Sequence, residues 1–414
     1  MREKKMGMRT FWTIWSGQAL SLAGSQAAQF SLIWWLTLET KSPAVLSTAT
    51  LVALLPPIVL GPAIGALVDR WSRRITMMVA DGAVALGSLA LAGLFLTERA
   101  STTSVLLFIL WRAVGGAFHA PAMIAATSLM VPGEHMGRIQ GVNQMLQGGL
   151  GILAAPLGAL LFGLLGMTGV MAVDVVTALF AILPLLFVRV PEPERRGETS
   201  PTGSTSFLSD VGAGLLYLRN LPGHLALIGY AAVINLFLTP AFALLPLLVL
   251  QLGGDVGMQA WVTSAFGAGV IGGGLALSVW GGLGSRVRTA LASIVGLGAA
   301  TFALGATPGS LFPMATAAML VVGVFSATAN GCIAAILQTT IAPEYQGRVF
   351  TLVMSIAGAM TPVGLLLAAP LADLVGVRAW YLAAGVVCAA MGAAAFFVRP
   401  ILQIEVEGGA GLPT

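Results

Sequence analysis

Four ionisable side chains stand inside long apolar runs: Asp81, Arg112, His119 and Asp174. A carboxylate placed there can carry a proton or balance a cation. A guanidinium can hold an anion, and an imidazole can do either. Arg112 and His119 are seven residues apart, so on a helix they share one face, with Gly116 between them and Met123 a turn beyond. A second cluster is of another kind. Gly65-Ala-Leu-Val-Asp69-Arg70-Trp-Ser-Arg73-Arg74 packs one acid and three guanidiniums between two apolar stretches. Such a segment cannot lie in lipid, and its arginine excess places it on the cytoplasmic side of a membrane.

Composition sets the class. Charged residues make up 9% of the chain, against about 25% in soluble domains, and mean hydropathy is +0.93. This is the composition of an all-α polytopic membrane protein. The net charge of +4 follows from topology and does not point to nucleic acid. Cys332 and Cys388 both fall in apolar runs, so no disulfide framework is expected. His119, His135 and His224 are scattered, which argues against a metal. No phosphate-cradling G-x-x-x-x-G-K-[ST] loop occurs. No cofactor is expected, and no nucleophile–base set suggests an enzyme.

A span needs about 20 apolar residues. On that rule twelve helices fall near 11–38, 44–68, 75–96, 104–130, 139–165, 169–189, 223–250, 257–280, 289–306, 311–340, 349–372 and 379–398. The first run extends to about Leu38, too long for a signal core, and reads as a retained helix. Loops assigned to the outer side hold only Lys41, Arg99 and Arg378, so both termini are expected in the cytoplasm and the plasma membrane is the expected location. The domain reading is a six-helix bundle at 1–190, a cytoplasmic linker at 191–222, a second bundle at 223–400 and a tail at 401–414. The linker is rich in Pro, Gly, Ser and Thr and ends in a short amphipathic helix over 207–219.

The halves echo each other. Pro132-Gly-Glu134-His-Met-Gly137-Arg138 matches Pro343-Glu344-Tyr-Gln-Gly347-Arg348, and Ala155-Pro156-Leu157-Gly158 matches Thr361-Pro362-Val363-Gly364. Trp280-Gly281-Gly-Leu-Gly284-Ser-Arg286-Val-Arg288 is a worn copy of the 65–74 segment that has lost its acid. A duplicated unit of this kind suits alternating access about a central site.

With these motifs, and with Arg112-x-x-Gly115-Gly116-x-x-His119-x-Pro121, the chain resembles the major facilitator superfamily, most of all the macrolide-efflux branch of drug:proton antiporters. The resemblance implies two pseudo-symmetric six-helix bundles, with helices 1, 4, 7 and 10 lining the cavity. It also implies a gate at Gly65, Asp69, Arg70, Arg73, Arg74 and Arg138, in which Asp69 meets the start of helix 11. Two departures stand out: Ser72 replaces the usual glycine of the loop, and helix 5 matches the antiporter motif only in part.

At about 1.5 Å per residue, Arg112 and Asp174 lie about 12 Å and 8 Å from the outer end. Asp81 lies about 9 Å from the inner end, near His119. The level-matched pairs are therefore Arg112–Asp174 and His119–Asp81. Because buried charge is costly in a bilayer, Asp81, Asp174 and His119 are the proton-coupling candidates. Gln18, Gln26, Gln29, Arg112, Met123, Asn235 and Asn330 are the substrate-binding candidates. Gly61-x-x-x-Gly65 and Gly269-x-x-x-Gly273 read as packing seams. The expected function is proton-coupled export of an amphiphilic drug, macrolide-like compound or metabolite by a monomer in contact with membrane lipids. The alternatives are a uniporter or importer, or a lipid flippase of the same fold.

Overall fold

The computed structural model describes residues 2–188, 190, 215–219 and 221–405. Of the expected linker at 191–222, residues 191–214 and 220 lie outside the described residues, as does the expected tail beyond 405. Almost everything described is helix: α1 (Arg2–Thr40), α2 (Pro43–Arg70), α3 (Arg73–Leu96), α4 (Thr102–Met130), a 55-residue element Gly133–Phe187, α7 (Pro222–Gln251), α8 (Val256–Trp280), α9 (Arg286–Ala306), α10 (Phe312–Thr340), α11 (Pro343–Val375), α12 (Val377–Ala395) and the short α13 (Arg399–Leu402). The 55-residue element is two helices meeting at Gly166, whose φ of 63° only glycine adopts freely. They are α5 (133–165) and α6 (167–187). The expected fifth and sixth helices thus follow each other with no loop.

Among the described residues, ten helices are long and apolar enough to cross a membrane, with α5 and α6 counted as one. α1 is long enough but falls short in apolarity, and Gln18, Gln26 and Gln29 are the reason. It also starts earlier than the expected 11, at Arg2. The helix ends carry local signals. Ser42 caps α2 ahead of Pro43, Ser101 and Ser104 form a reciprocal box on α4, and Ser285 accepts from the Arg288 N–H on α9.

The chain divides into two compact units, residues 1–199 with 256–260, and 200–255 with 261–414. Within the first, α1 packs on the α5–α6 pair, and α3 packs on that pair and on α4. Within the second, α7 packs on α11 and α12, and α9 on α10 and α12. The matched proline motifs have matched roles. A Cβ on Gly158 of α5 would lie 2.7 Å from the Ala27 carbonyl of α1, and one on Gly364 of α11 would lie 2.3 Å from the Leu236 carbonyl of α7. In each unit a small residue after a proline lets the fifth helix touch the backbone of the first.

The small-residue seams divide differently from expectation. Gly269 and Gly273 meet the carbonyls of Leu320 and Val324 on α10 at 2.1 and 2.4 Å from an ideal Cβ, a true seam. Gly61 and Gly65 have nothing within 4 Å. Spacing alone does not distinguish a packed glycine pair from an open one. Of the expected amphipathic helix, residues 215–218 are described as helical. Leu218 is fully buried beside Ile228, Leu337 and Val349, and Tyr217 stacks on Tyr345 at 4.1 Å.

Candidate functional site

The first unit holds the four ionisable residues of its apolar runs in two polar layers, built by a seven-residue spacing on three helices. α1 supplies Gln18 and Ser25, α3 supplies Asp81 and Ser88, and α4 supplies His119 and Arg112. Seven residues are two helical turns, about 10.5 Å of rise. Since α4 runs opposite to α1 and α3, its order is reversed and the layers align.

In one layer Asp81 is the hub. Gln18 Nε2 donates to Asp81 Oδ2 at 2.9 Å, and His119 Nε2 lies 3.4 Å from Asp81 Oδ1. The imidazole is near enough to pair when protonated, but its geometry is not that of a hydrogen bond. The Asp81 and His119 side chains keep 13% and 23% exposure, so this carboxylate is not sealed. The expected His119–Asp81 pair is present, with Gln18 as an additional partner.

In the other layer Asp174 of α6 is the hub, and it is only 2% exposed. Ser25 Oγ donates to Oδ1 at 2.9 Å and Ser88 Oγ to Oδ2 at 2.6 Å. The level-matched Arg112 and Asp174 share a partner in Ser25: Arg112 Nη2 donates to the main-chain carbonyl of Ser25, while Nη1 is buried without a hydrogen-bond partner. Level-matching by rise could not see this shared residue. Ser88 was missed altogether, although its position seven residues after Asp81 was the available signal.

Close backbone contact fixes these distances. A Cβ on Gly17 would lie 2.3 Å from the Phe180 carbonyl, and one on Gly24 2.2 Å from Thr177 Oγ1, both on α6. These glycines immediately precede Gln18 and Ser25. They bring α1 close enough to α6 for a short serine to reach Asp174.

The other candidates are less connected. Gln26 is exposed and Gln29 half-buried. Met123 is half-buried against the apolar cluster around Ile64, Met77 and Ala126, so it acts at least partly as core. Asn235 and Asn330 turn their amide N–H groups back on their own helices, to the Ala231 and Ser326 carbonyls, each at 2.9 Å.

In the loop after α2, the side chains of Asp69 and Arg70 lie outside the described residues. Arg74, one of the expected gate residues, donates from Nε to the Leu185 carbonyl and from Nη2 to that of Leu186 at 2.7 Å. It therefore caps the end of α6, where carbonyls lack helical partners and the dipole favours a cation. Arg73 is half-buried and Arg138 exposed.

Among the described residues there is no cluster of His, Cys, Asp and Glu that could hold a metal. The polar layers bring together two carboxylates, an imidazole, a guanidinium, an amide and two hydroxyls.

Comparison with known proteins agrees with this architecture. Residues 14–353 match the Major Facilitator Superfamily. Macrolide efflux protein A of Streptococcus pyogenes is 33% identical over 384 residues, covering 92% of this chain and 94% of that protein. Multidrug efflux pump Tap of Mycolicibacterium fortuitum is 27% identical over 90% of this chain and 91% of that one. In fold, a bacterial homologue of the human lysosomal transporter Spinster superposes with a TM-score of 0.71 at 16% identity, over 96% of this chain and 98% of that one. Two helical units with matched motifs, a polar first half and these relatives lead to one conclusion: the chain belongs to the Major Facilitator Superfamily and is an integral membrane transport protein, not an enzyme.

Proposed function

We propose that this protein exports an amphiphilic small molecule, of the drug or macrolide class, by proton antiport with alternating access. It works as a monomer in the plasma membrane with both termini in the cytoplasm. Relatives named for macrolide and multidrug efflux support the cargo class. The observation that carries the coupling is the Asp81 layer: a carboxylate in a membrane span, incompletely buried, with Gln18 and His119 as partners. A partly open acid can exchange a proton, whereas Asp174, closed in by two hydroxyls, suits a fixed strut. One proton moved inward across 100 mV supplies about 2.3 kcal/mol. Arg112, Gln26 and Gln29 offer polar contacts to the cargo. Gly65, Asp69, Arg70, Arg73, Arg74 and Arg138 serve the gate.

The test is export from proteoliposomes of a radiolabelled macrolide and, separately, of a cationic dye. An imposed proton gradient should accelerate export of at least one of them several-fold, and a protonophore should abolish the effect. Equal rates with and without the gradient would remove antiport and leave facilitated diffusion.

A further inference from the structure

The loop opening α9 repeats the arginine-bearing loop before α3 but has no acid of its own. The fold brings one in from the segment after α12. Glu405 Oε2 accepts from Ser285 Oγ at 2.5 Å and from the Val287 N–H at 3.3 Å, and Oε1 accepts from the Arg286 N–H at 3.0 Å. All three donors belong to the cap and first turn of α9. There the N–H groups lack helical partners and the dipole favours an anion.

Apolar anchors hold the acid in place. Ile401 and Ile404 are 0% and 1% exposed, clustered with Val287 and Leu291 of α9. The Pro400 carbonyl would lie 2.2 Å from a Cβ on Gly223, so only a glycine lets α7 begin there. The Arg286 side chain also reaches α10, where Nη1 donates to Thr339 Oγ1 at 3.0 Å.

The first unit joins its third and sixth helices with the opposite sign. There, Arg74 in the first turn of α3 donates to the last carbonyls of α6. In the second unit an anion that follows α12 accepts from the first amides of α9.

We propose that Glu405 is a positioning residue: it supplies the acid that the α9 loop lacks and fastens α9 to the segment after α12, as Arg74 fastens α3 to α6. Its role is to keep the second bundle's helix ends in register during transport, not to touch cargo.

The experiment uses the full chain with Cys332→Ala and Cys388→Ala, which removes both native thiols. Hydrogen exchange over 285–289 and efflux are measured for the parent, for Glu405→Gln, and for a Ser285→Cys, Glu405→Cys pair. The pair is read before and after bridging by a short bis-methanethiosulfonate reagent. Glu405→Gln is expected to speed exchange in the first turn of α9 about tenfold, the equivalent of one charge-assisted hydrogen bond, and to slow efflux several-fold. Bridging the cysteine pair should restore slow exchange and efflux in the same sample. Unchanged exchange in Glu405→Gln overturns the joint. Faster exchange with unimpaired efflux, or bridging that restores exchange but not efflux, overturns the positioning role. The efflux arm rests on the export reading and the exchange arm does not. A parent without efflux counts against export alone.

Discussion

Ser25 reaches Asp174 with a 2.9 Å hydrogen bond from its hydroxyl while its main-chain carbonyl accepts from Arg112. One serine thus serves a buried anion and a buried cation. With Ser88 it provides the hydroxyl contacts to Asp174, which is 2% exposed. Removing a donor from a buried acceptor costs about 1–3 kcal/mol. Ser88→Ala and Ser25→Ala are each expected to lower the detergent melting temperature by several degrees, and the double variant to lower it further. Melting curves that overlay the parent's would show that Asp174 does not depend on these hydroxyls.

The two carboxylates should separate by function. Asp81→Asn is expected to abolish acceleration of export by a proton gradient while leaving cargo binding and stability near the parent's. Asp174→Asn is expected to lower stability and keep the gradient response of whatever protein remains folded. Gradient-driven flux normalised to folded protein decides between them. A gradient response in Asp81→Asn equal to the parent's would move the coupling site elsewhere.

Close contact between α1 and α6 makes a steric prediction. At Gly24 a methyl group would overlap Thr177, and at Gly17 the Phe180 carbonyl. Gly24→Ala and Gly17→Ala should each cost about 1–3 kcal/mol by overpacking, and both should disturb the polar layers beside them. Gly61→Ala is the control, because a Cβ there meets nothing within 4 Å. Equal yields and melting temperatures for Gly24→Ala and Gly61→Ala would contradict the packing.

Arg74 and Arg138 both lie near the start of a helix but should differ sharply. Arg74 caps the carbonyls of Leu185 and Leu186, so Arg74→Ala should lose about 1–2 kcal/mol and loosen the end of α6 to proteolysis. Arg138 is exposed, and Arg138→Ala should leave stability within about 0.5 kcal/mol. Limited digestion and melting curves on the two variants, side by side, check the contrast.

Glu405 makes the α9 joint sensitive to acid. Burial opposes its charge, but hydrogen bonds from Ser285 and from the Arg286 and Val287 N–H groups, together with the Arg286 charge, outweigh that and hold the carboxyl below its ordinary 4.5. A carboxyl lowered in the folded state adds stability that is complete above its unfolded value and disappears as the pH falls through the folded one. Protection of the first turn of α9 should therefore be flat at neutral pH and fall away below 4.5. Glu405→Gln should remove that acid dependence. Exchange measured at matched intrinsic rates across this range tests it.

Much of the fold could be read from the chain because bilayer solvation demands long apolar helices and leaves few ways to arrange cations. The paired proline motifs around Pro156 and Pro362 were legible for the same reason: a helix approaching another in lipid needs a small residue at the contact. The polar site was legible where a large charge had to be matched at its depth, as with His119 and Asp81. It was not legible where a small side chain intervened. Serine is common in spans and commonly bonds its own helix, as Ser293 and Ser355 do here, so Ser88 carried no mark beyond its register with Asp81. The bonds from Arg74 to the end of α6 were not legible, because the Leu185 and Leu186 carbonyls lie more than a hundred residues away and backbone acceptors leave no mark in the sequence. Gly61 and Gly65 show the limit of spacing rules, which state what contact a helix permits and not whether a partner arrives.

The seven-residue spacing has a mechanical consequence. α1, α3 and α4 mesh like combs with two teeth each, cut to one pitch. A helix that slid by a single turn would strand a tooth in each layer at the same moment, so slippage along the axis has no cheap first step. The first unit's polar layers thus resist sliding along the helix axis.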